Sequence, residues 1–198
     1  MHYQRNLPHI MPPGATLFIT FRLAGSLPLA VIEQLKAEYA QPPHFQEEPS
    51  QTYARQRRYF GAFDQLLDAD EAGPTWLGQA AVAQVVAEAL HFRAGRDYTL
   101  WAHCIMANHV HLLVSPLESD GQPFHRILQS LKARTARRCN ELIGGTGDAF
   151  WQSESYDHYV RNAAEMDRIV AYVLNNPVKA GLVEDWTQWP YTYLNPDW

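Results

Sequence analysis

Two histidines separated by one residue, His109 and His111, are the side chains of this sequence best suited to chemistry. They follow Ala107 and Asn108, and Asn is typical of the tight turn that joins two antiparallel strands. Residues two apart in a strand project to the same face, so the two imidazoles would lie together and Val110 would face a core. The spacing therefore predicts a pair that can share one divalent metal.

Such a pair on a strand is more often an ordinary surface or hydrogen-bonded pair than a metal site. Here the neighbouring residues are apolar, and two polar rings in apolar surroundings are costly unless they have a partner. Two ligands leave most of the coordination sphere open, which suits a catalytic site better than a structural one. We expect His103 to project to the opposite face and Cys104 to be a buried thiol beside His111.

The rest of the sequence predicts the elements that would position this pair. Apolar spacing, proline and glycine mark strands at 15–23, 98–106 and 109–114, and helices at 27–39, 53–67, 79–92, 123–142 and 163–174. This order predicts an α+β fold, a ferredoxin-like antiparallel sheet with helices packed on it in a single compact domain over residues 1–198. Within it, 40–75 reads as a possible insertion and 184–198 as an aromatic C-terminal tail.

The composition limits the class of protein. The chain has 198 residues, 46% of them hydrophobic, with two cysteines and no apolar run long enough to cross a membrane, so we expect a soluble cytoplasmic protein. A net charge of -5 argues against non-specific coating of nucleic acid. One stretch is nevertheless basic, and its cations would either grip a DNA backbone or form a solvated helix face: Arg126, Lys132, Arg134, Arg137 and Arg138.

Several segments together resemble one family. The block 106–113 (MANHVHLL) is similar to the His-hydrophobic-His block of the HUH single-strand DNA transposases, and specifically to that of the REP-associated tyrosine transposases. That family usually has proline where this chain has Ala107. Residues 6–9 followed by 18–23, residues 150–158 and residues 175–183 also agree with it in the same order, so the resemblance spans nearly the whole chain.

The resemblance implies a reaction. It implies a metal-dependent endonuclease and transposase that cuts single-stranded or hairpin DNA from palindromic repeats, as a monomer or homodimer and without a nucleotide cofactor. Mg²⁺ or Mn²⁺ would be held by His109 and His111. A helix-borne tyrosine would attack the phosphate, leaving a 5′-phosphotyrosine and a free 3′-OH.

The nucleophile and the third metal ligand are less directly indicated. Alignment with the family's tryptophan, glutamine and aromatic-aspartate pattern favours Tyr156, although Ser155 stands where the family often has a second aromatic. Tyr159, taken as one helical turn further on, is the alternative, and both tyrosines could simply pack. Related transposases place a ligating glutamine four residues after the tyrosine, where this chain has Val160. Gln152, Asp157, His158 or water are the candidates for that ligand.

Two other functions fit parts of the sequence. The acidic net charge and the missing glutamine fit a cleavage-deficient, sequence-specific DNA-binding protein of the same fold. The histidine pair alone would also fit a metal-dependent hydrolase of small phosphoesters, which no other feature of the sequence supports.

Overall fold

A computed structural model describes residues 2–4, 8–10, 14–40, 48–69, 73–117, 123–145 and 147–198. In chain order the elements are β1 (His2–Gln4), β2 (Pro8–Ile10), β3 (Leu17–Leu23), α1 (Leu29–Glu38), α2 (Pro49–Ala69), α3 (Ala80–Arg93), β4 (Tyr98–Ile105), β5 (His109–Pro116), α4 (Phe124–Ile143), β6 (Trp151–Tyr159), α5 (Ala163–Leu174), α6 (Asn176–Lys179) and β7 (Thr192–Leu194). Single 3₁₀ turns lie at Trp76–Gly78 and Trp186–Gln188. No helix in these ranges is long and apolar enough to cross a membrane.

Contacts along the chain divide it into two compact units. The smaller unit, Gly25–Pro74, contains α1 and α2 and overlaps the segment that the sequence marks as a possible insertion. Helix α2 is longer than predicted. Tyr59 packs on Tyr39 and on Phe63, with ring centroids 6.0 and 6.2 Å apart, and Arg55 donates a hydrogen bond of 2.9 Å to the Tyr39 carbonyl.

The larger unit, Met1–Ala24 with Thr75–Trp198, is built on one antiparallel sheet. Its strand order is β6-β3-β5-β4-β7, so β3 and β5 are neighbours near the centre and β6 is an edge. The short strands β1 and β2 pair separately with each other. This arrangement confirms the predicted α+β class and the antiparallel sheet with helices packed on it.

One face of the sheet, which we call the core face, carries the main hydrophobic core. It presents the alternate residues of β3 and β5, including Ile19, Phe21, Val110 and Leu112, all fully buried. Helices α3 and α4 supply the other half of this core, as their apolar spacing predicts. The two cysteines are free thiols, and both are buried.

The opposite face presents the residues in between, and we call it the histidine face. Phe18, Thr20 and Arg22 of β3 lie on it with His109 and His111 of β5, because directly paired residues in an antiparallel sheet project to the same side. Helix α5 packs here, against β4 and β5. The sheet is therefore covered by helices on both faces.

Strand β6 corrects the sequence-based expectation for this segment. The sequence predicts neither a strand nor a helix over 151–159, because Ser, Glu, Asp and His interrupt any apolar alternation. As an edge strand, β6 pairs with one neighbour in the sheet and most of its residues are half-buried, so it needs no such pattern. Its pairing with β3 also shifts between Phe21 and Leu23, which weakens the period of two further.

Candidate active site

The turn between β4 and β5 places the two histidines. Met106 N donates to the His109 carbonyl at 2.9 Å and closes the turn, as the sequence predicts for a hairpin. The Asn108 carbonyl accepts a bond of 2.8 Å from Leu23 N, which ties the turn to the end of β3. The first residue of β5 is thus fixed in both strand register and face.

His109 and His111 form a close pair on the histidine face. Their Nε2 atoms are 3.1 Å apart and both side chains are fully buried. The Nδ1 atom of His109 is 2.7 Å from Asn108 Oδ1, and the Nδ1 atom of His111 is 2.8 Å from Thr20 Oγ1. Each ring is therefore held at its far nitrogen by a polar neighbour.

These contacts determine what the facing nitrogens can do. The amide oxygen of Asn108 accepts, so His109 carries its proton on Nδ1 and presents a lone pair at Nε2. Thr20 can accept from His111 in the same way. Two lone pairs 3.1 Å apart repel each other unless a cation or a proton lies between them, and ligating histidines usually have such a partner at the other nitrogen. The pair fits a divalent metal.

A tyrosine that sequence reasoning missed lies beside this pair. Tyr172 of α5 has its ring centroid 5.5 Å from that of His111, at an interplanar angle of 71°, and 5.9 Å from Phe18. Lys179 Nζ lies 5.6 Å from the Tyr172 ring centroid. A helix thus brings a half-buried phenol and a nearby cation to the histidine face.

Tyr156, the nucleophile that the sequence favours, lies on the same face but further away. It pairs with Thr20, which in turn pairs with His111, so one strand separates the tyrosine from the histidine. That separation is roughly 10 Å between backbones, two strand spacings of about 4.8 Å each. Its ring reaches Phe18, with centroids 6.4 Å apart.

Tyr159 was expected one helical turn after Tyr156, and that expectation is wrong because the segment is a strand. Tyr159 pairs with Leu17 and packs against the core. Three residues along a strand reverse the side on which a side chain projects, so the two tyrosines lie on opposite faces.

The register also places the candidates for a third ligand. Asp157 pairs with Ile19, so it lies on the core face, where it accepts a 2.8 Å hydrogen bond from Ser155 Oγ. His158 lies on the histidine face but contacts Glu165 at 3.2 Å. Burial lowers the pKa of His158, and the nearby Glu165 carboxylate opposes that shift. Gln152 uses its backbone carbonyl to accept a 2.5 Å hydrogen bond from Lys132.

The hairpin residues next to the pair lie where the sequence predicts. His103 pairs with Leu112 on the core face, and Cys104 is a buried thiol directly across from His111. Arg22, which sequence reasoning did not single out, pairs with His109 and is buried on the histidine face.

The basic helix α4 packs on the core face, so its cations are not brought to the histidine pair. Lys132 Nζ binds the carbonyls of Gln152 and Ser153 and secures β6. The other four make local contacts: Arg126 with Gln129 at 3.4 Å, Arg134 over the Phe92 ring, and Arg137 and Arg138 with Glu141 at 3.5 and 3.9 Å. A role for these side chains in DNA contact stays a prediction.

Two features distinguish Tyr172 once the helices are known. Among the described helices of the larger unit, it is the one tyrosine. The resemblance implies a helix-borne nucleophile, and this residue precedes the matching 175–183 segment by three positions. Its position among Ile169, Val173 and Leu174 makes it look like a packing residue.

Comparison with protein families finds a match over the part of the chain that contains the candidate site. The sequence profile of the family described as Transposase IS200 like matches residues 79–176, which contain the histidine pair and Tyr172. The chain is therefore similar to IS200-like transposases, and the matching part includes the histidine pair on the antiparallel sheet.

Within that class, individual relatives confirm the resemblance to REP-associated tyrosine transposases. A Haemophilus influenzae protein of that description is 30% identical over 104 residues, which cover 48% of this chain and 58% of the relative. One from Escherichia coli is 24% identical over 102 residues, covering 52% of this chain and 58% of the relative. The chain therefore aligns with less than two thirds of the length of each.

A solved structure supports the same fold. A REP-associated tyrosine transposase bound to a REP hairpin aligns with 96% of this chain and 82% of its own, with a TM-score of 0.52 and 16% identity. At that identity the likeness concerns the arrangement of helices and strands.

Proposed function

We propose that this chain is a metal-dependent single-strand DNA endonuclease and transposase that cuts hairpin DNA from palindromic repeats, with Tyr172 as the nucleophile. The observation that carries this proposal is the phenol of α5 lying beside a buried histidine pair whose facing nitrogens are prepared for a cation. The relatives and the hairpin-bound neighbour support DNA of this kind as the partner. A cytoplasmic location and a monomer or homodimer remain predictions.

The chemistry follows from the groups on the histidine face. The Tyr172 oxygen attacks the scissile phosphorus, a bond from that oxygen to phosphorus forms, and the bond to the 3′ oxygen breaks. The phenol loses its proton and the departing 3′ oxygen takes one up. The products are a 5′-phosphotyrosine and a free 3′-OH, and the reverse reaction rejoins DNA without a nucleotide cofactor.

His109 and His111 would hold the Mg²⁺ or Mn²⁺ that this reaction needs. When bound, the ion supplies positive charge against the non-bridging phosphate oxygens. Asn108 and Thr20 keep the rings oriented, so the ligands need little rearrangement when the ion binds. Lys179 places a second positive charge beside Tyr172, where the phosphate must come.

Geometry favours Tyr172 over Tyr156 for two reasons. The Tyr172 ring touches the ring of His111, whereas Tyr156 lies beyond the intervening strand β3. Tyr172 is also on a helix, which agrees with the helix-borne nucleophile of the resembled family, whereas Tyr156 is on an edge strand.

The test compares two variants that each lose one hydroxyl. The full chain, Tyr172→Phe and Tyr156→Phe are incubated with labelled single-stranded repeat hairpins and Mn²⁺ or Mg²⁺, and the covalent protein–DNA adduct is measured on a denaturing gel. We expect the adduct with the unchanged chain and with Tyr156→Phe, and none with Tyr172→Phe. The reverse pattern would make Tyr156 the nucleophile, and no adduct from the unchanged chain with any hairpin would reject the nuclease.

A cleavage-deficient DNA-binding protein of the same fold is the second candidate, which the net charge of -5 favours. It predicts that the hairpin binds the unchanged chain and both phenylalanine variants equally, with no adduct from any of them.

A further inference from the structure

A second histidine pair lies on the core side of the sheet, away from the candidate active site. His91, in the last turn of α3, and His103, in β4, have their Nε2 atoms 3.3 Å apart. His103 is almost completely buried, whereas His91 is exposed at the end of its helix. The pair is thus anchored on the sheet and reachable from solvent.

Tyr193 of β7 fixes the orientation of both imidazoles. Its ring is stacked on that of His103, with centroids 5.6 Å apart and an interplanar angle of 21°. It meets the ring of His91 edge-on, with centroids 4.6 Å apart. Because three elements converge on these rings, the two facing nitrogens are held in place before any ligand arrives.

The separation of the nitrogens suits chelation. Two bonds of about 2.0–2.1 Å to one ion at a tetrahedral angle place the nitrogens about 3.3–3.4 Å apart. The same 3.3 Å lets one neutral ring donate a hydrogen bond to the other when no ion is bound. Burial, followed by the neighbouring His91, lowers the pKa of His103 to about 3, and burial also lowers the pKa of His91.

The surroundings leave room for a coordination sphere. The pair lines a cavity of about 300 Å³ together with Gln84, Glu88 and Thr192. Glu88 lies one helical turn before His91, accepts a 2.9 Å hydrogen bond from Gln84, and brings negative charge to the cavity. Water can therefore complete the sphere of an ion held by the two rings, with the carboxylate nearby.

We propose that His91 and His103 form a second metal site, which binds transition ions of the zinc type. Two imidazoles that face no DNA phosphate favour such ions over Mg²⁺ and Ca²⁺, which need oxygen ligands such as phosphate or carboxylate. The ion would link α3 to β4 on the core side, so it would stabilise the folded chain and take no part in DNA cleavage. The proposal does not depend on the proposed nuclease activity.

The test titrates Zn²⁺ into the full chain by calorimetry and records thermal unfolding with and without Zn²⁺. His91→Gln is the main variant, because this exposed residue can change without disturbing the core. His109→Gln is the matched control, because it removes one ligand of the other pair. We expect His91→Gln to lose one binding event or weaken it at least tenfold, and His109→Gln to keep that event.

The thermal data separate binding at this pair from binding elsewhere. Zn²⁺ should raise the unfolding temperature of the unchanged chain and of His109→Gln by more than that of His91→Gln, and Mg²⁺ should give no His91-dependent rise. His103→Asn should repeat the loss seen with His91→Gln if it folds. Equal Zn²⁺ stoichiometry, affinity and thermal shift in His91→Gln and the unchanged chain would overturn the proposal.

Discussion

At the scale of single residues, the histidine pair depends on its neighbours as much as on its own spacing. Asn108 and Thr20 contact the Nδ1 atoms of the two rings, and the two Nε2 atoms face each other at 3.1 Å. Partners of this kind orient metal ligands and raise their basicity. The metal affinity should therefore be sensitive to residues that do not touch the metal.

Thr20→Val tests this dependence, because it removes one hydroxyl and keeps the side-chain shape. We expect Mn²⁺ to bind about 10- to 100-fold more weakly, the range typical when a metal-ligating histidine loses the hydrogen-bond partner of its other nitrogen, as measured by calorimetry. Thr16→Val is the control: the Thr16 hydroxyl bonds Ser115 at 2.7 Å, away from the pair, and its loss should leave Mn²⁺ affinity unchanged. Equal affinity in the two variants would contradict the role given to Thr20.

The residue types explain why one half of the candidate site could be predicted and the other half could not. His109 and His111 lie two apart in an apolar strand after a turn, so local rules alone place them on one face. Tyr172 approaches them from a helix more than 60 positions later, and no local rule encodes that contact. Its apolar neighbours also make it resemble an ordinary packing residue.

At the scale of elements, the composition of β6 explains why the strand that carries Tyr156 was not predicted. Its polar residues and its shifted register hide the period of two, and only its pairing with β3 reveals a strand. The helices and the central hairpin could be predicted because each buries a regular apolar stripe or alternation. Edge strands do not need a regular apolar alternation, since they pair with a neighbour on one side only.

The start of α5 is an element-scale feature that positions Tyr172. Asn162 caps the helix by accepting a 2.9 Å hydrogen bond from Glu165 N. The buried Glu165 carboxylate in turn accepts hydrogen bonds from Arg161 N and Nε at 2.8 and 3.2 Å, and contacts His158 at 3.2 Å. One carboxylate thus joins the helix start to the end of β6.

Glu165→Gln should loosen this junction, because a neutral amide of the same size replaces the charge that faces Arg161 and His158. We expect the free energy of unfolding to fall by about 1–3 kcal/mol at neutral pH, measured by chemical denaturation. Asp167→Asn, the same kind of change at an exposed position of α5, is the control and should cost less than about 0.5 kcal/mol.

The pH dependence of the same variant has a definite sign. Burial lowers the pKa of folded His158 below its value of 6.5, so its contribution to stability is complete above pH 6.5 and is lost as the pH falls. Glu165 opposes the lowering, so removing its charge lowers that pKa further. The destabilisation by Glu165→Gln should therefore grow between pH 7.5 and 5.5, and a constant difference from Asp167→Asn would contradict this linkage.

At the scale of the whole molecule, the larger unit places the candidate active site and the basic helix α4 on opposite faces of the sheet. The histidine pair, Tyr172 and Lys179 lie on one face, and the basic helix α4 packs on the other. The net charge is -5, so any attraction for DNA must come from local groups. Whether α4 binds DNA or is a solvated face is therefore a question about phosphate contacts distant from the candidate active site.

The salt dependence of hairpin binding answers that question. Each phosphate contact that is lost should make the slope of log affinity against log salt shallower by about one. The double variant Arg126→Gln/Arg137→Gln is suitable, because both side chains are exposed. Arg137 is 85% exposed and makes a long 3.5 Å pair with Glu141. Lys132 is excluded, because it secures the β6 carbonyls and its loss would disturb the sheet. Arg57→Gln, an exposed cation of the smaller unit, is the control.

If α4 contacts the DNA backbone, the double variant should show a shallower slope and weaker binding to every hairpin sequence alike. Slopes equal to that of the control would make the arginines of α4 a solvated face.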